Sequence, residues 1–292
     1  MDALPLLIVL LSAVGHAMWN FYAKQSADKL VFIAGGCYAL GAVVYLPLYL
    51  WKGLGARLDA EAWACIVASA AAKAVYVALL AEALAVGDLS LVYPLSRIAP
   101  AIVPLWAVLL LAEHISLLGG LGIAIVCASI PVIHLEGFRG HHVRQLGATM
   151  LTRGTAFALL TALAVSAYSI VDKFAMARRV DPIAFNYIHW VITVAMLAPY
   201  VLWRCGGRAV AELFRREWRP LAVSGFLDFG AYVLVLYVME TSKVSYIVAA
   251  RQVSQIVAIV LGTAVLHERC GGIRLLAGAL ILAGITLIGL AR

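Results

Sequence analysis

Charge is scarce in this sequence. Asp, Glu, Lys and Arg make up 13% of its 292 residues, where a soluble domain carries about 25%. There is no HExxH, no GxSxG and no close cluster of Cys and His, which removes the signatures of a zinc protease, a serine hydrolase and a structural zinc module. Neither a cofactor nor a metal site is expected. The five cysteines (Cys37, Cys65, Cys127, Cys205, Cys270) are odd in number and far apart, so they are assigned to helix packing rather than to disulfides. The formal charge is +7, but the basic residues form no long run. They are expected to orient loops against headgroups, and no nucleic-acid partner is expected. A basic leader is missing too. Met1 to Leu4 carries no Lys or Arg, and the first apolar run contains His16, Trp19 and Asn20, so it is expected to be a retained helix rather than a signal peptide.

What is abundant is apolar sequence: 64% of residues are hydrophobic and the mean hydropathy is +0.99. So much apolar surface has to face lipid, and a helix crossing a bilayer needs about 20 such residues. Apolar runs predict spans near 4–23, 30–51, 62–85, 89–112, 115–135, 154–177, 182–203, 219–240, 244–266 and 271–291. The expected fold is an all-α integral membrane protein of about ten transmembrane helices. The longest polar stretches are His134 to Arg153 and Arg204 to Arg219. The second mixes Arg208, Arg215, Arg216 and Arg219 with Leu213, Phe214 and Trp218, as an interfacial amphipathic segment does.

The chain also repeats itself. Residues 4–135 and 154–291 align as two five-span halves. Trp19 to Lys24 sits opposite Tyr168 to Lys173, the ending Leu110 to His114 opposite Ala264 to Arg269, and Gly122 roughly opposite Gly278. An odd number of helices per half predicts inverted repeats, the architecture that permits alternating access to a midplane site. Domains are therefore expected at 1–135 and 154–292, joined by a loop at 136–153. The five-plus-five repeat, the span endings with Glu113 and Glu268 and the Gly-rich spans after them resemble the EamA family of the drug/metabolite transporter superfamily. The resemblance covers nearly the whole chain and implies a transporter of metabolites such as amino acids, with multidrug export also represented. The run His16 to Asn20 followed by Lys24 and Lys29 further resembles a branch associated with phosphonate utilisation. Both termini inside is the arrangement the family implies, whereas counting Arg139, Arg144, Arg153 and the Arg204 to Arg219 cluster places them outside.

Intramembrane ionisable residues are expensive and mark functional sites. Lys73 in span 3 and Asp228 in span 8 occupy equivalent positions in the two halves with opposite charge. They are expected either to face one substrate cavity or to pin the halves together as a salt bridge. His16, Asn20 and Lys24 recur every four residues, with Trp19 alongside, so they share one helix face; Tyr168 stands opposite Trp19 in the repeat. Arg97 and Arg251 lie near the starts of spans 4 and 9, and Gln255 shares a face with Arg251. Two polar layers follow from span counting: His16, Asn20, Lys24 and Arg97 on one side, Asp172, Lys173, Arg251 and Gln255 on the other. The expected substrate-binding set is Lys73, Asp228, Asn20, Trp19, Arg97, Arg251, Gln255 and Tyr168, with His16 as a candidate proton carrier. Glu82, Glu113, Glu240 and Glu268 are assigned to structure, as helix-end carboxylates. Pro94, Pro100 and Pro104 are expected to bend span 4.

Because cations outnumber anions in these layers, the expected function is secondary transport of a small anionic or zwitterionic metabolite, such as an amino acid or aminophosphonate, across a plasma membrane (the inner membrane if bacterial). Partners are the bilayer and the small-molecule substrate, with a monomer or homodimer as the unit. A multidrug or organic-cation exporter, a receptor or scaffold, and an intramembrane enzyme remain as alternatives.

Overall fold

The computed structural model describes residues 1–53, 58–86, 95–132, 152–265 and 272–291. Most of these residues are helical, with no strand among them. The helices are α1 (Ala3–Gln25), α2 (Lys29–Lys52), α3 (Ala60–Val86), α4 (Ala99–Leu111), α5 (Leu117–Val132), α6 (Arg153–Ala177), α7 (Pro182–Cys205), α8 (Gly207–Thr241), α9 (Val244–Ala250), α10 (Val253–Ala264) and α11 (Gly272–Leu290). Among the described residues, seven stretches are long and apolar enough to cross a membrane: α1, α2, α3, α6, α7, α8 and the joined α9 and α10. Of the remaining apolar helices, α4 and α5 are shorter, as is the stretch Leu275–Leu290 of α11.

Local sequence explains several boundaries. Asp181 accepts hydrogen bonds from the Ile183 and Ala184 amides at 2.9 Å, with Pro182 at the first helical position of α7, a strong start signal. Thr152 caps α6 in the same way through the Thr155 amide. The segment expected to be interfacial is helical and continuous with the next span. Its arginines are exposed while Leu213 is buried. The only non-helical residue inside α8 is Glu217 (φ −115°, ψ 20°), three residues before Pro220, where the proline ring crowds the preceding turn. Pro104 lies inside α4 as expected and Pro100 at its first turn; Pro94 lies outside the described residues.

The two halves interlock. α3 packs along α6 and α1 along α8, so that span 1 of one half meets the third span of the other in both directions; α5 packs on α11, and α7 on α2 and α3. Small residues permit the closest approaches, as is usual where lipid offers no hydrophobic drive between helices. A Cβ on Gly122 would lie 2.6 Å from the Gly284 carbonyl, and one on Gly284 2.6 Å from the Gly122 carbonyl. Gly122 thus meets Gly284, while Gly278, its expected counterpart, makes only a loose approach to Ile256. Large apolar side chains such as Leu109, Leu117 and Leu275 point outward, and Trp51 and Trp203 stand exposed near helix ends, where aromatic residues favour a bilayer interface.

Candidate functional site

Span 9 is not one helix. Its ladder breaks at Arg251 and Gln252, where the Gln252 amide bonds to the Ala249 carbonyl and the Gln255 amide to the Gln252 carbonyl, each three residues back. A matching turn precedes α4, with the Ile98 amide on the Leu95 carbonyl. Both arginines therefore sit at helix breaks rather than simply near span starts. Such a break frees the chain to aim Arg251 inward, toward α1 and α8.

Around it the structure assembles a polar cluster from both halves. On α1, the Trp19 indole donates to His16 Nδ1 at 2.9 Å, and Arg251 Nη2 lies 3.5 Å from the same nitrogen. Because an indole N–H is only a donor, Nδ1 must carry its lone pair, and the imidazole in this arrangement is neutral. The Asp228 carboxylate 3.6 Å from Nδ1 is therefore a neighbour and not an ion-pair partner. His16 has to give up Trp19 before Nδ1 can take a proton. Asn20 bonds back to the His16 carbonyl at 2.6 Å. Gln255 donates to the Gln252 side chain at 2.5 Å. Arg97 lies within electrostatic range of both His16 and Tyr168.

Lys73 and Asp228 do not form an ion pair. The Lys73 ammonium instead stands 4.6 Å from the ring centre of Tyr168, 5.0 Å from Tyr232 and 5.6 Å from Tyr76. Only 8% of Lys73 is exposed. Tyr232 joins several groups: its ring also faces the Arg251 guanidinium at 5.6 Å, and its hydroxyl donates to Asp172. Asp172, fully buried, accepts a second bond from Ser69 Oγ at 2.5 Å. Beside this cluster His189 stacks between Phe185 and Tyr232, 1% exposed, and neither of its ring nitrogens has a partner among the described residues.

The two-layer arrangement is thus corrected. His16 and Arg251, assigned to opposite layers, are neighbours. Lys173 is not part of the cluster; its ammonium bonds the Met239 and Ser242 carbonyls at 2.5 and 3.0 Å and closes the end of α8, as cations favour helix C-termini. Lys24 is exposed at the end of α1. Of the helix-end carboxylates, Glu113 does cap a helix, but α9 of the other half: it accepts from the Val244 amide at 2.6 Å and from Ser245 Oγ at 2.7 Å. Glu82 accepts from the Tyr200 hydroxyl at 2.9 Å, Glu240 is exposed, and Glu268 lies outside the described residues.

Sequence reasoning missed Ser69, Tyr76, Tyr232 and His189 and left Asp172 out of the binding set. Spacing held the signal for most of them. Ser69 and Tyr76 are four before and three after Lys73, Tyr232 four after Asp228 and Asp172 four after Tyr168, so each shares a helix face with a recognised residue.

The profile of the EamA-like transporter family matches residues 3–135 and 152–290. A solved structure described only as a crystal structure of a protein superposes with a TM-score of 0.71 at 16% identity, covering 98% of this chain and 96% of the other; that likeness concerns the fold alone. No curated protein matches the chain in sequence.

Proposed function

Because the chain belongs to the EamA-like transporter family, a family of multi-pass membrane transporters, we propose that it is a secondary transporter carrying a small anionic or zwitterionic metabolite by alternating access. In this reading ten spans form two inverted five-helix repeats, the short helices α4, α5 and α11 completing the bundle. The protein sits in a plasma membrane, or an inner membrane if bacterial. The exchange of helix pairs between halves and the broken ninth span support this, since both recur in inverted-repeat transporters with midplane sites.

The observation that carries the substrate class is Lys73. It is a buried ammonium faced by three tyrosine rings, close to an arginine whose buried Nε has no hydrogen-bond partner among the described residues. Such buried positive charge favours an anionic group, and a guanidinium suits a carboxylate or phosphonate. With Lys24 and Lys173 set aside, the cations Lys73, Arg97 and Arg251 still outnumber Asp172 and Asp228. Organic-cation export is the second reading, favoured by the tyrosines around Lys73, since aromatic faces attract cations.

Reconstitution in liposomes separates the two. Uptake of radiolabelled amino acids, aminophosphonates and organic cations is measured for the wild type, Lys73→Ala and Asp228→Ala. Carriage of an anion or zwitterion that both substitutions abolish is the expected result. Carriage of organic cations alone, or normal transport by both variants, removes this assignment.

A further inference from the structure

We propose that Tyr76, Tyr168 and Tyr232 form a receptor for the ammonium group of a zwitterionic substrate, and that Lys73 occupies this receptor until the substrate's anionic group draws the lysine away. The inference rests on the transporter reading above and adds a second subsite to it. Three ring centres lie 4.6, 5.0 and 5.6 Å from one ammonium nitrogen, all within the about 6 Å over which a ring face attracts a cation. The Tyr76 and Tyr168 rings meet edge to face, 6.1 Å apart, so the walls are held by packing. Tyr232 donates its hydroxyl to Asp172. That bond pushes electron density toward the ring and sets a fixed negative charge behind it. Nothing in this arrangement is particular to lysine: it is a cation site that a tethered cation of the protein fills.

The flexible four-carbon stem of Lys73 allows its ammonium to swing out when a carboxylate or phosphonate is bound. Arg251, which already faces Tyr232 at 5.6 Å, supplies the other donor for that anion. The emptied rings then take the ammonium of the same molecule. Selectivity follows from the coupling. A simple cation must compete with a tethered lysine of high effective concentration, whereas a simple anion leaves the rings empty beside Asp172. Only a molecule carrying both charges satisfies both subsites.

Binding to purified protein, measured by isothermal titration calorimetry, tests this without transport. Tetramethylammonium is expected to bind Lys73→Ala roughly tenfold or more tightly than wild type, and the gain should vanish in Lys73→Ala/Tyr168→Leu. Lys73→Ser vacates the rings equally and replaces the alanine variant if that one folds poorly. In wild type, glycine betaine should bind at least about tenfold more tightly than either tetramethylammonium or acetate, and Tyr168→Leu should erase that difference. Equal binding of tetramethylammonium by wild type and the vacated variants, or a gain that survives loss of Tyr168, overturns the receptor. If the gain appears and yet no zwitterion is carried in liposomes, the receptor stands and the transport reading falls.

Discussion

Glu113 offers the sharpest test of how the halves are joined. It is 9% exposed and lies in the turn after α4, yet its carboxylate serves the start of α9: the Val244 amide at 2.6 Å, the Ser245 amide at 3.3 Å and Ser245 Oγ at 2.7 Å. Glu113→Ala leaves two amides at a buried helix start without acceptors, at about 1–3 kcal/mol each. The lost cap is worth about 1 kcal/mol measured alone, and it overlaps with those bonds rather than adding to them. A destabilisation of roughly 3 kcal/mol follows. At about 2–4 °C per kcal/mol for a chain somewhat shorter than this one, the melting midpoint should fall by at most roughly 6–12 °C. The assay is thermal unfolding of purified protein in detergent, followed by tryptophan fluorescence. Glu113→Gln keeps an acceptor and should lose about half as much. Glu82→Gln is the control: that side chain is 35% exposed and bonded to Tyr200, and its loss should cost under about 1 kcal/mol. A Glu113→Ala midpoint within about 2 °C of wild type would refute the cap as a joint between halves.

Two further substitutions probe the packing and the polar cluster. Gly122→Val drives a side chain into the Gly284 carbonyl, which a Cβ would approach to 2.6 Å. α5 and α11 must then part, at about 1–3 kcal/mol, and a melting curve matching wild type would deny that contact. Tyr232→Phe keeps a ring beside Lys73 and Arg251 but takes one of two hydroxyl donors from Asp172. Stability should fall by about 1–3 kcal/mol and uptake should fall with it; full uptake by a well-folded variant would show that the hydroxyl serves neither purpose.

The helical class and most helix positions were legible because lipid imposes a length and an apolar composition on each span, and the expected runs 4–23, 62–85, 154–177 and 182–203 lie within or close to α1, α3, α6 and α7. Two things were not. The run 244–266 is apolar except around Arg251, Gln252, Ser254 and Gln255, and hydropathy cannot register a break that costs only a few backbone hydrogen bonds. The partner of a charge was equally hidden. Lys73 and Asp228 were paired by repeat position, but position in a repeat fixes where a backbone lies and not which side chain its residue meets. Lys73 meets three tyrosines, two of them on α6 and α8.

That distinction also indicates where function resides in a duplicated fold. Features present in both halves, such as the turns at Leu95 to Ile98 and at Arg251 to Gln252 or the reciprocal packing of α1 on α8 and α6 on α3, fit the alternating access proposed above. They say little about cargo. Positions where the halves differ bear more directly on it. Asp172 stands where the first half has Ala23, Tyr168 where it has Trp19, and Asp228 where it has Lys73. Those three differences make the two sides of the cluster unlike: tyrosines near Lys73 with Asp172 held behind Tyr232, and Arg251, His16, Trp19 and the Asp228 carboxylate on the α1 side. In the transport reading proposed above, a substrate with separated charges meets unlike surroundings on the two sides of such a site, and the three differing positions are where substitution should change its binding.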